Sequence, residues 1–374
     1  MKPRCSPSGF FIFIKQNSFI FRPVNYCFII SSDQRKRLWP FALTRSVADF
    51  RVGILTIREK WALLLGALIP DFVQDASCDM NRICIPANIL PTIQNFNEIL
   101  ECVEKSQDLK QGNQFHFIEH PSNIFQFNDA ALRSDFELLT RGRLSQALDR
   151  SNIICNPNQI FIEEGAKVWG CTLNAETGPI YIGKNATIME GSCIRGPFSI
   201  GENSVVKMGS TIYGATTIGP NCVVGGEIKN SVFFECSNKA HHGYLGDSVI
   251  GSWCNLGAGT TNSNVKNTAG DINYISADDE HEYSAGSKAG LLMGDYSRTA
   301  IQTAINTGTM VGVCCNLFGY EIPPKTMKSF SWGTEKYQLD KALQHIQNWK
   351  HMKGQELTQN EINLLTHIHQ QENL

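Results

Sequence analysis

An aliphatic residue returns at every sixth position from Ile182 to Val224: Ile182, Ile188, Ile194, Ile200, Val206, Ile212, Ile218 and Val224. A period of six predicts hexapeptide rungs wound into a parallel β-helix, each short strand placing one branched side chain into a narrow prism while its neighbours face outward. Four residues after most of these positions stands a small side chain, Ala186, Ser192, Ser204, Ser210, Thr216 or Cys222, as a tight corner between flat faces requires; bulky Phe198 is the exception. The step is expected to begin around Ile160, with Ile162 and Val168 in phase, to break at 174–179, and to change register after Val224 at Gly225-Gly226-Glu227-Ile228. Rungs are expected again at Ile250 and Leu256 and, beyond a loop over 262–288, at Ile301, Thr307 and Val313. A loop of that length is commonly functional or unstructured.

The flanks carry different patterns. From 25 to 152 the chain reads as mixed α/β, with a first strand at 26–30 and a second at 82–85 ahead of Pro86. Thr56-Ile57-Arg58-Glu59 has capping-box spacing, so a helix is expected from there to Leu65, with Gly66 as its stop. Phe96, Ile99, Leu100 and Val103 mark one face of another helix. At the C-terminus Leu339, Leu343, Ile346 and Trp349 form a helical stripe, and Thr358-x-x-Glu361 caps a second helix bearing Ile362, Leu365 and Ile368. Both helices are expected against the end or side of the prism, covering strand edges. Residues 1–24 alternate apolar runs with Lys15, Gln16, Asn17 and Arg22, too broken for a signal-peptide core or a membrane span, and are expected to be a poorly ordered extension.

Composition narrows the classes. In 374 residues, 42% hydrophobic and 18% charged is the balance of a globular protein, and a net charge of −2 leaves no basic stripe for nucleic acid and no polycationic membrane patch. Thirteen cysteines without a C-x-x-C pair suggest reduced, packed thiols in a cytoplasmic protein, with neither a disulfide framework nor a zinc site. The adjacent Cys314 and Cys315 read as one thiol inward and one outward. A γ-class carbonic anhydrase is disfavoured because its zinc needs three converging histidines, and this region offers only His241, His242 and His281.

A stack of rungs is a scaffold, so chemistry is sought where the repeat is broken. Between 229 and 255 the interruption carries Lys229, His241, His242, Tyr244 and Asn255, followed by Leu256-Gly257-Ala258-Gly259. Taken singly, His241 reads as a polar loop residue and Tyr244 as a packing residue. Taken together, Glu227-Ile228-Lys229, His241-x-x-Tyr244-Leu245-Gly246-Asp247, Ile250-Gly251 and Asn255-Leu256-Gly257-Ala258-Gly259 resemble the acetyltransferase half of the bifunctional GlmU enzymes, the glucosamine-1-phosphate acetyltransferase/N-acetylglucosamine-1-phosphate uridylyltransferases. Gly53-Ile54-Leu55-Thr56, Trp253-Cys254-Asn255, Asn306-Thr307-Gly308-Thr309 and Phe330-Ser331-Trp332-Gly333 are similar to divergent GlmU-like proteins of the Bacteroidetes type, putting the resemblance from about residue 25 to the C-terminus.

The resemblance implies a left-handed parallel β-helix acyltransferase domain over 153–330, preceded by a reduced α/β nucleotidyltransferase-like domain over 25–152 and followed by C-terminal helices over 331–374. It implies acetyl transfer from acetyl-CoA to the amine of an amino-sugar phosphate, in UDP-N-acetylglucosamine biosynthesis, at a site between subunits of a homotrimer. An ammonium is not nucleophilic, and an imidazole is suited to take its proton near neutral pH. His241 is implied as that catalytic base, Lys229 and Tyr244 as the phosphate holders and Asn255 as the sugar ligand. Gly257, Ala258 and Gly259 are implied to hold the coenzyme or the developing oxyanion.

Departures from the family pattern bear on the acceptor and on the N-terminal domain. The family's phosphate-binding Arg should follow Gly196-Pro197-Phe198 closely, but Ser199-Ile200 stands there, leaving Arg195 and Lys207 as substitutes and Lys266 as an imprecise match to a second lysine. Where sugar nucleotidyltransferases carry a Gly-rich loop around the nucleotide phosphates, this chain reads Ser31-Ser32-Asp33-Gln34-Arg35-Lys36-Arg37-Leu38-Trp39-Pro40, and the magnesium-binding Asp is matched by Asn88. Arg35, Lys36, Arg37 and Arg45 form either an anion site or a solvated basic face, and Mg2+ is required only if this domain is active. The alternatives are a sugar-1-phosphate nucleotidyltransferase of the UDP-GlcNAc diphosphorylase kind, or a non-catalytic trimeric binding scaffold.

Overall fold

The computed structural model describes residues 25–66, 82–109, 115–277 and 282–371; the 1–24 extension and His281 lie outside them. The hexapeptide pattern folds as a left-handed parallel β-helix of about 10 turns. Its three faces are a six-stranded sheet (face I, Ile153–Cys155 to Tyr244–Gly246), a nine-stranded sheet (face II, Ile160–Ile162 to Thr326–Met327) and a ten-stranded sheet (face III, which begins at Lys167–Val168). Ile182, Ile200 and Ile218 are register partners on face II, so three six-residue steps close one turn. All eight residues of the repeat from Ile182 to Val224 lie in one interior cluster, and Ala186, Ser192, Ser204, Ser210, Thr216 and Cys222 are buried at the corners. The coil starts earlier than the repeat suggests, because Ile153–Cys155 already pairs with Thr172–Asn174.

Two expectations need correction. Ile301 is 72% exposed on a corner, and Val313 packs against the C-terminal helices; the inward positions of those rungs are Met293, Thr299, Ile305, Val311 and Leu317. The inserted segment has no reason to be a multiple of six residues, so the phase restarts at Met293, and the inward Thr299 disguises it. Within the 262–288 loop, Asn273–Ile275 and Glu282–Ser284 pair as an antiparallel hairpin whose Tyr274 and Tyr283 join the core of the N-terminal region.

That region builds a parallel pair, β1 (Asn25–Ile29) and β2 (Arg82–Pro86), with helices α1 (Ser32–Lys36), α2 (Ile57–Leu65), α3 (Phe96–Glu104), α4 (Asn123–Gln126) and α5 (Asn128–Thr140). Helix α2 has the expected capping box between Thr56 and Glu59, and Gly66 ends it in the left-handed conformation. The apolar side chains of the region share one core with Val232, Phe234, Val249, Leu292 and Met310 from the outer side of face II. A polar clamp adds to this contact: Gly53 N–H donates to Asn128 Oδ1 (2.7 Å), Asn128 Nδ2 donates to the Ala215 carbonyl (2.7 Å), and Thr217 Oγ1 donates to the Gly53 carbonyl (3.0 Å). Gly53 has φ +83°, and a Cβ there would fall 2.4 Å from Asp135 Oδ2, so only glycine fits.

Helices α6 (Leu339–Met352) and α7 (Gln359–Gln371) lie along the side of the prism, packed on Tyr296, Val313, Cys314 and Phe330, with the Thr358–Glu361 capping box formed. The Trp349 ring of α6 covers the Arg298 guanidinium on face III at 5.4 Å. Face II is thus clothed by the N-terminal region and the upper part of face III by α6. On face I, Cys193, Arg195, Thr211 and Glu227 remain exposed.

Ten described cysteines are free thiols, and Cys314 joins the cluster under the C-terminal helices while Cys315 points into the prism. The Cys84 Sγ lies 3.7 Å from that of Cys27. No helix among the described residues is long and apolar enough to cross a membrane.

Candidate functional site

The corner joining face III to face I is the place where the repeat is cut short. Between Val205–Val206 and Thr211–Tyr213 the chain spends four residues on this corner, and between Asn238–Lys239 and Tyr244–Gly246 four again. Between Val223–Val224 and Glu227–Lys229 it spends two, Gly225 and Gly226. The corner is therefore cut back by one glycine pair, and the turn 240–243 overhangs it. A Cβ on Gly226 would stand 2.9 Å from the His241 carbonyl and the His242 Cα, which measures how closely the two turns stack. His241 and His242 are exposed on this overhang. One turn further on come Gly257, Ala258 and Gly259, with the Gly259 N–H donating to the His242 carbonyl at 2.9 Å. Below the recess stand half-buried Lys207 and exposed Met208; above it stands Ile301.

Face I continues from this corner. Lys229 pairs in register with Tyr213 on one side and Gly246 on the other, and Glu227 pairs with Tyr244. The Lys229 ammonium lies 5.9 Å from the centre of the Tyr213 ring, and Tyr213 donates its hydroxyl proton to Glu227 Oε1 at 2.6 Å, which pushes its pKa up to about 12. The Tyr244 hydroxyl hangs over Gly246, and burial, with Asp247 nearby, pushes its pKa up, so it stays a neutral donor at physiological pH. Asp247 is held by Asn230 Nδ2 (2.6 Å) and Asn264 Nδ2 (2.5 Å).

The corner thus collects His241, Gly257, Ala258, Gly259 and Lys207, and the adjoining face I carries Lys229 and Tyr244, with exposed Arg195 lower on the same sheet. Asn255 sits apart, half-buried on face III between its register partners Asn238 and Arg298. Lys266 is turned to the Asp271 carbonyl of its own loop.

The basic cluster of the N-terminal region does not converge. Arg45 is largely buried, ion-paired with Asp295 and Glu235 and bonded to Ser252 Oγ at 2.8 Å, so its charge is already met. It lines a cleft of about 330 Å³ between the N-terminal region, the prism and α7. Arg35 caps the Ala42 carbonyl through Nε (3.1 Å) and Nη2 (3.0 Å), while Arg37 is exposed. The stretch that would be a phosphate loop is wound into α1, capped by Ser31 and Gln34. The residues present do not fit a magnesium ion: Asn88 is a buried neutral amide donating to the Ile118 carbonyl at 3.1 Å, and no group of three His, Cys, Asp or Glu among the described residues is placed to hold a metal.

One residue of the corner escaped the sequence pattern. Lys239 is 1% exposed and occupies the inward position of face III, in register with Val224, where Val206 and Leu256 are aliphatic. The inward step from Val224 to Lys239 is 15 residues, not 18, which hid it from a strict count. Burial pushes its pKa down to about 8. Because the unfolded chain keeps this lysine protonated up to about pH 10.4, the unfolded state binds more protons at this site between the two values, and the contribution of Lys239 to stability rises with pH across that window. Between about pH 8 and pH 9.5 the unfolding free energy of the wild type, from urea denaturation, is expected to rise relative to that of Lys239→Met by up to about 1.4 kcal/mol per pH unit. The buried thiols of Cys222, Cys236 and Cys254, whose pKa values burial pushes up, act in the opposite direction in both proteins and cancel in the comparison.

Residues 27–114 match the family model described as sugar nucleotidyl transferase. The bifunctional protein GlmU of Methanococcus maripaludis is 34% identical over 86 residues, 23% of this chain and 20% of that protein. A bifunctional sugar-1-phosphate nucleotidylyltransferase/acetyltransferase of Sulfurisphaera tokodaii is 32% identical over 92 residues, 25% of this chain and 23% of that protein. The matches thus span about a fifth of the length of these relatives. Among solved structures, an Arabidopsis UDP-N-acetylglucosamine acyltransferase aligns over 61% of this chain and 91% of its own, at 14% identity and TM-score 0.30. The UDP-N-acetylglucosamine acyltransferase of Campylobacter jejuni aligns over 59% and 95%, at 11% identity and TM-score 0.27.

Proposed function

We propose that this chain, whose matches support a GlmU-like family, is a CoA-dependent N-acetyltransferase acting on an amino-sugar phosphate such as glucosamine 1-phosphate. The observation that carries the reading is the exposed His241 overhanging a corner cut back to Gly225 and Gly226, with Lys229 and Tyr244 on the adjoining face. The recess gives a narrow acyl-pantetheine arm room to approach an imidazole without meeting a side chain. His241 takes one proton from the substrate ammonium, and the freed nitrogen attacks the acetyl carbonyl carbon. The C–N bond forms, the C–S bond breaks, and the CoA thiolate takes the proton from the imidazolium, while the second proton of the nitrogen passes to water. The Ala258 backbone N–H stabilises the oxyanion, those of Gly257 and Gly259 being already given to the Thr299 and His242 carbonyls, and Lys229 and Tyr244 hold the phosphate as donors. Asn255, placed on face III, would meet a substrate on face I of a neighbouring copy more readily than one on its own, which agrees with a site shared between subunits of a trimer.

Incubation with acetyl-CoA and glucosamine 1-phosphate, following free thiol, tests the reading. Thiol release that requires both compounds is the expected result, and none above the hydrolysis rate would overturn it. The placement of Tyr244 has its own test. A Cβ on Gly246 would lie 2.2 Å from the Tyr244 hydroxyl oxygen and force the ring aside. Gly246→Ala is therefore expected to raise KM for the sugar phosphate about tenfold, the scale of a lost hydrogen bond to a charged group, with KM for acetyl-CoA little changed in steady-state assays.

The family match over 27–114 favours a second reading, sugar-1-phosphate nucleotidyl transfer. Mg2+-dependent exchange of pyrophosphate into UTP would support it. The winding of the phosphate-loop segment into α1 and the commitment of Arg45 to Asp295 and Glu235 weigh against it.

A further inference from the structure

The corner that joins face III to face I, and its continuation in the turns above, is pinned from inside in most turns by the residue just before the next strand. Cys171 Sγ donates to the carbonyls of Trp169 and Met189, both at 3.2 Å. Ser192 Oγ donates to the Lys207 carbonyl at 3.1 Å, and Ser210 Oγ donates to the same oxygen. Thr260 and Thr303 serve the Ala300 carbonyl at 3.3 and 2.8 Å. In the two turns between, the equivalent residues are Gly226 and Gly243, which carry no hydroxyl. There the donor comes from elsewhere. The Lys239 ammonium, sealed in the prism, donates to the carbonyls of Gly225 and His241, each at 2.9 Å. A four-carbon arm with three N–H groups, reaching from the inward strand position, thus joins two successive turns where the corner residues themselves have no side chain to do so. A buried ammonium without a carboxylate bonded to it is costly, and that cost marks a position retained for what it holds.

We infer that Lys239 is a positioning residue for His241: it ties the backbone of the overhanging turn to the glycine floor of the recess beneath it, and touches no substrate itself. The catalytic part of this inference rests on the acyl-transfer reading; the structural part does not. If the tie sets the turn, its loss misplaces the imidazole by a fraction of an ångström to an ångström, a displacement that costs about 10- to 100-fold in rate.

The test compares the full-length wild type with Lys239→Met, which fills the prism but donates nothing. Amide hydrogen exchange at Gly225 and Gly259, whose N–H groups donate to the Lys239 and His242 carbonyls at 2.7 and 2.9 Å, is read without any substrate and is expected to accelerate about tenfold or more, while the rungs from Val205 to Val224 keep their protection. In the thiol-release assay kcat is expected to fall about 10- to 100-fold with both KM values little changed. Lys239→Gln keeps amide donors on a shorter arm and is expected to fall between the two proteins in both readouts; it carries the comparison should the methionine variant not fold. Exchange at Gly225 and Gly259 unchanged in the variants, or accelerated exchange with kcat unchanged, would overturn the inference. A wild type that releases no thiol refutes the acetyltransferase instead, and the exchange comparison still decides whether Lys239 holds the turn.

Discussion

His241→Ala is expected to lower kcat for acetyl transfer by about 10²- to 10⁴-fold, the range supplied by a positioned general base. The melting temperature should stay within a degree or two, because the ring is exposed on the corner and serves no packing role. His242→Ala provides the control: the spacing to Tyr244 selects His241, so loss of the neighbouring ring should change the rate by less than about threefold. Steady-state thiol release measured on both variants checks the pair of outcomes. A wild-type rate in His241→Ala would remove the base and with it the mechanism. Equal large losses in both variants would point to a damaged turn, which exchange at Gly225 and Gly259 would register independently of rate.

Lys60→Met is expected to cost about 3–5 kcal/mol of unfolding free energy, the penalty for stranding one member of a buried ion pair. Lys60 on α2 and Asp135 on α5 are each 1% exposed and bonded directly to one another. Burial pushes the carboxyl of Asp135 up and the ammonium of Lys60 down, each opposed by its partner. Asp135 Oδ2 also accepts from the Ile54 and Leu55 N–H groups at 2.8 and 3.1 Å, so it fixes the turn that begins at Gly53. Adding Asp135→Asn to Lys60→Met should recover part of the loss, because the amide oxygen still serves that turn while no charge is left unpaired. Urea denaturation of the two single variants and the double variant measures the coupling, and additive losses would show that the pair is not the source of the stability.

What the sequence disclosed followed from how strictly geometry constrains a residue. The interior from Ile182 to Val224 was legible because a narrow prism admits one branched side chain per rung. The capping boxes of α2 and α7 were legible because two side chains three apart satisfy orphan backbone groups. The phase after 288 was not, since the hairpin at 273–284 answers to the N-terminal core and not to the coil, and an inward Thr299 beside an exposed Ile301 inverts the usual signal. Helix α5 was missed for a related reason: its buried side includes Asn128, Ser134 and Asp135 together with Ala131, Leu132 and Leu139, so no apolar stripe marks it. At the candidate site, spacing brought out His241, Lys229 and Tyr244, but it gave no hint that Asn255 faces another side of the prism. Lys239 was hidden because a shortened turn moved it out of step, and a lysine is the last residue expected inside an apolar column.

The core shared between the N-terminal region and face II also decides how the molecule can be handled. A fragment beginning after residue 152 would bare Val232, Phe234, Val249, Leu292 and Met310 as one continuous greasy flank. Such a truncate would be prone to stick to itself, and its partner fragment, stripped of about a third of its interior, would have less to fold around. Cutting the gene in two to assign one activity to each half would therefore yield inactive precipitates for reasons unrelated to chemistry, and point substitutions in the intact chain are the sound way to dissect it.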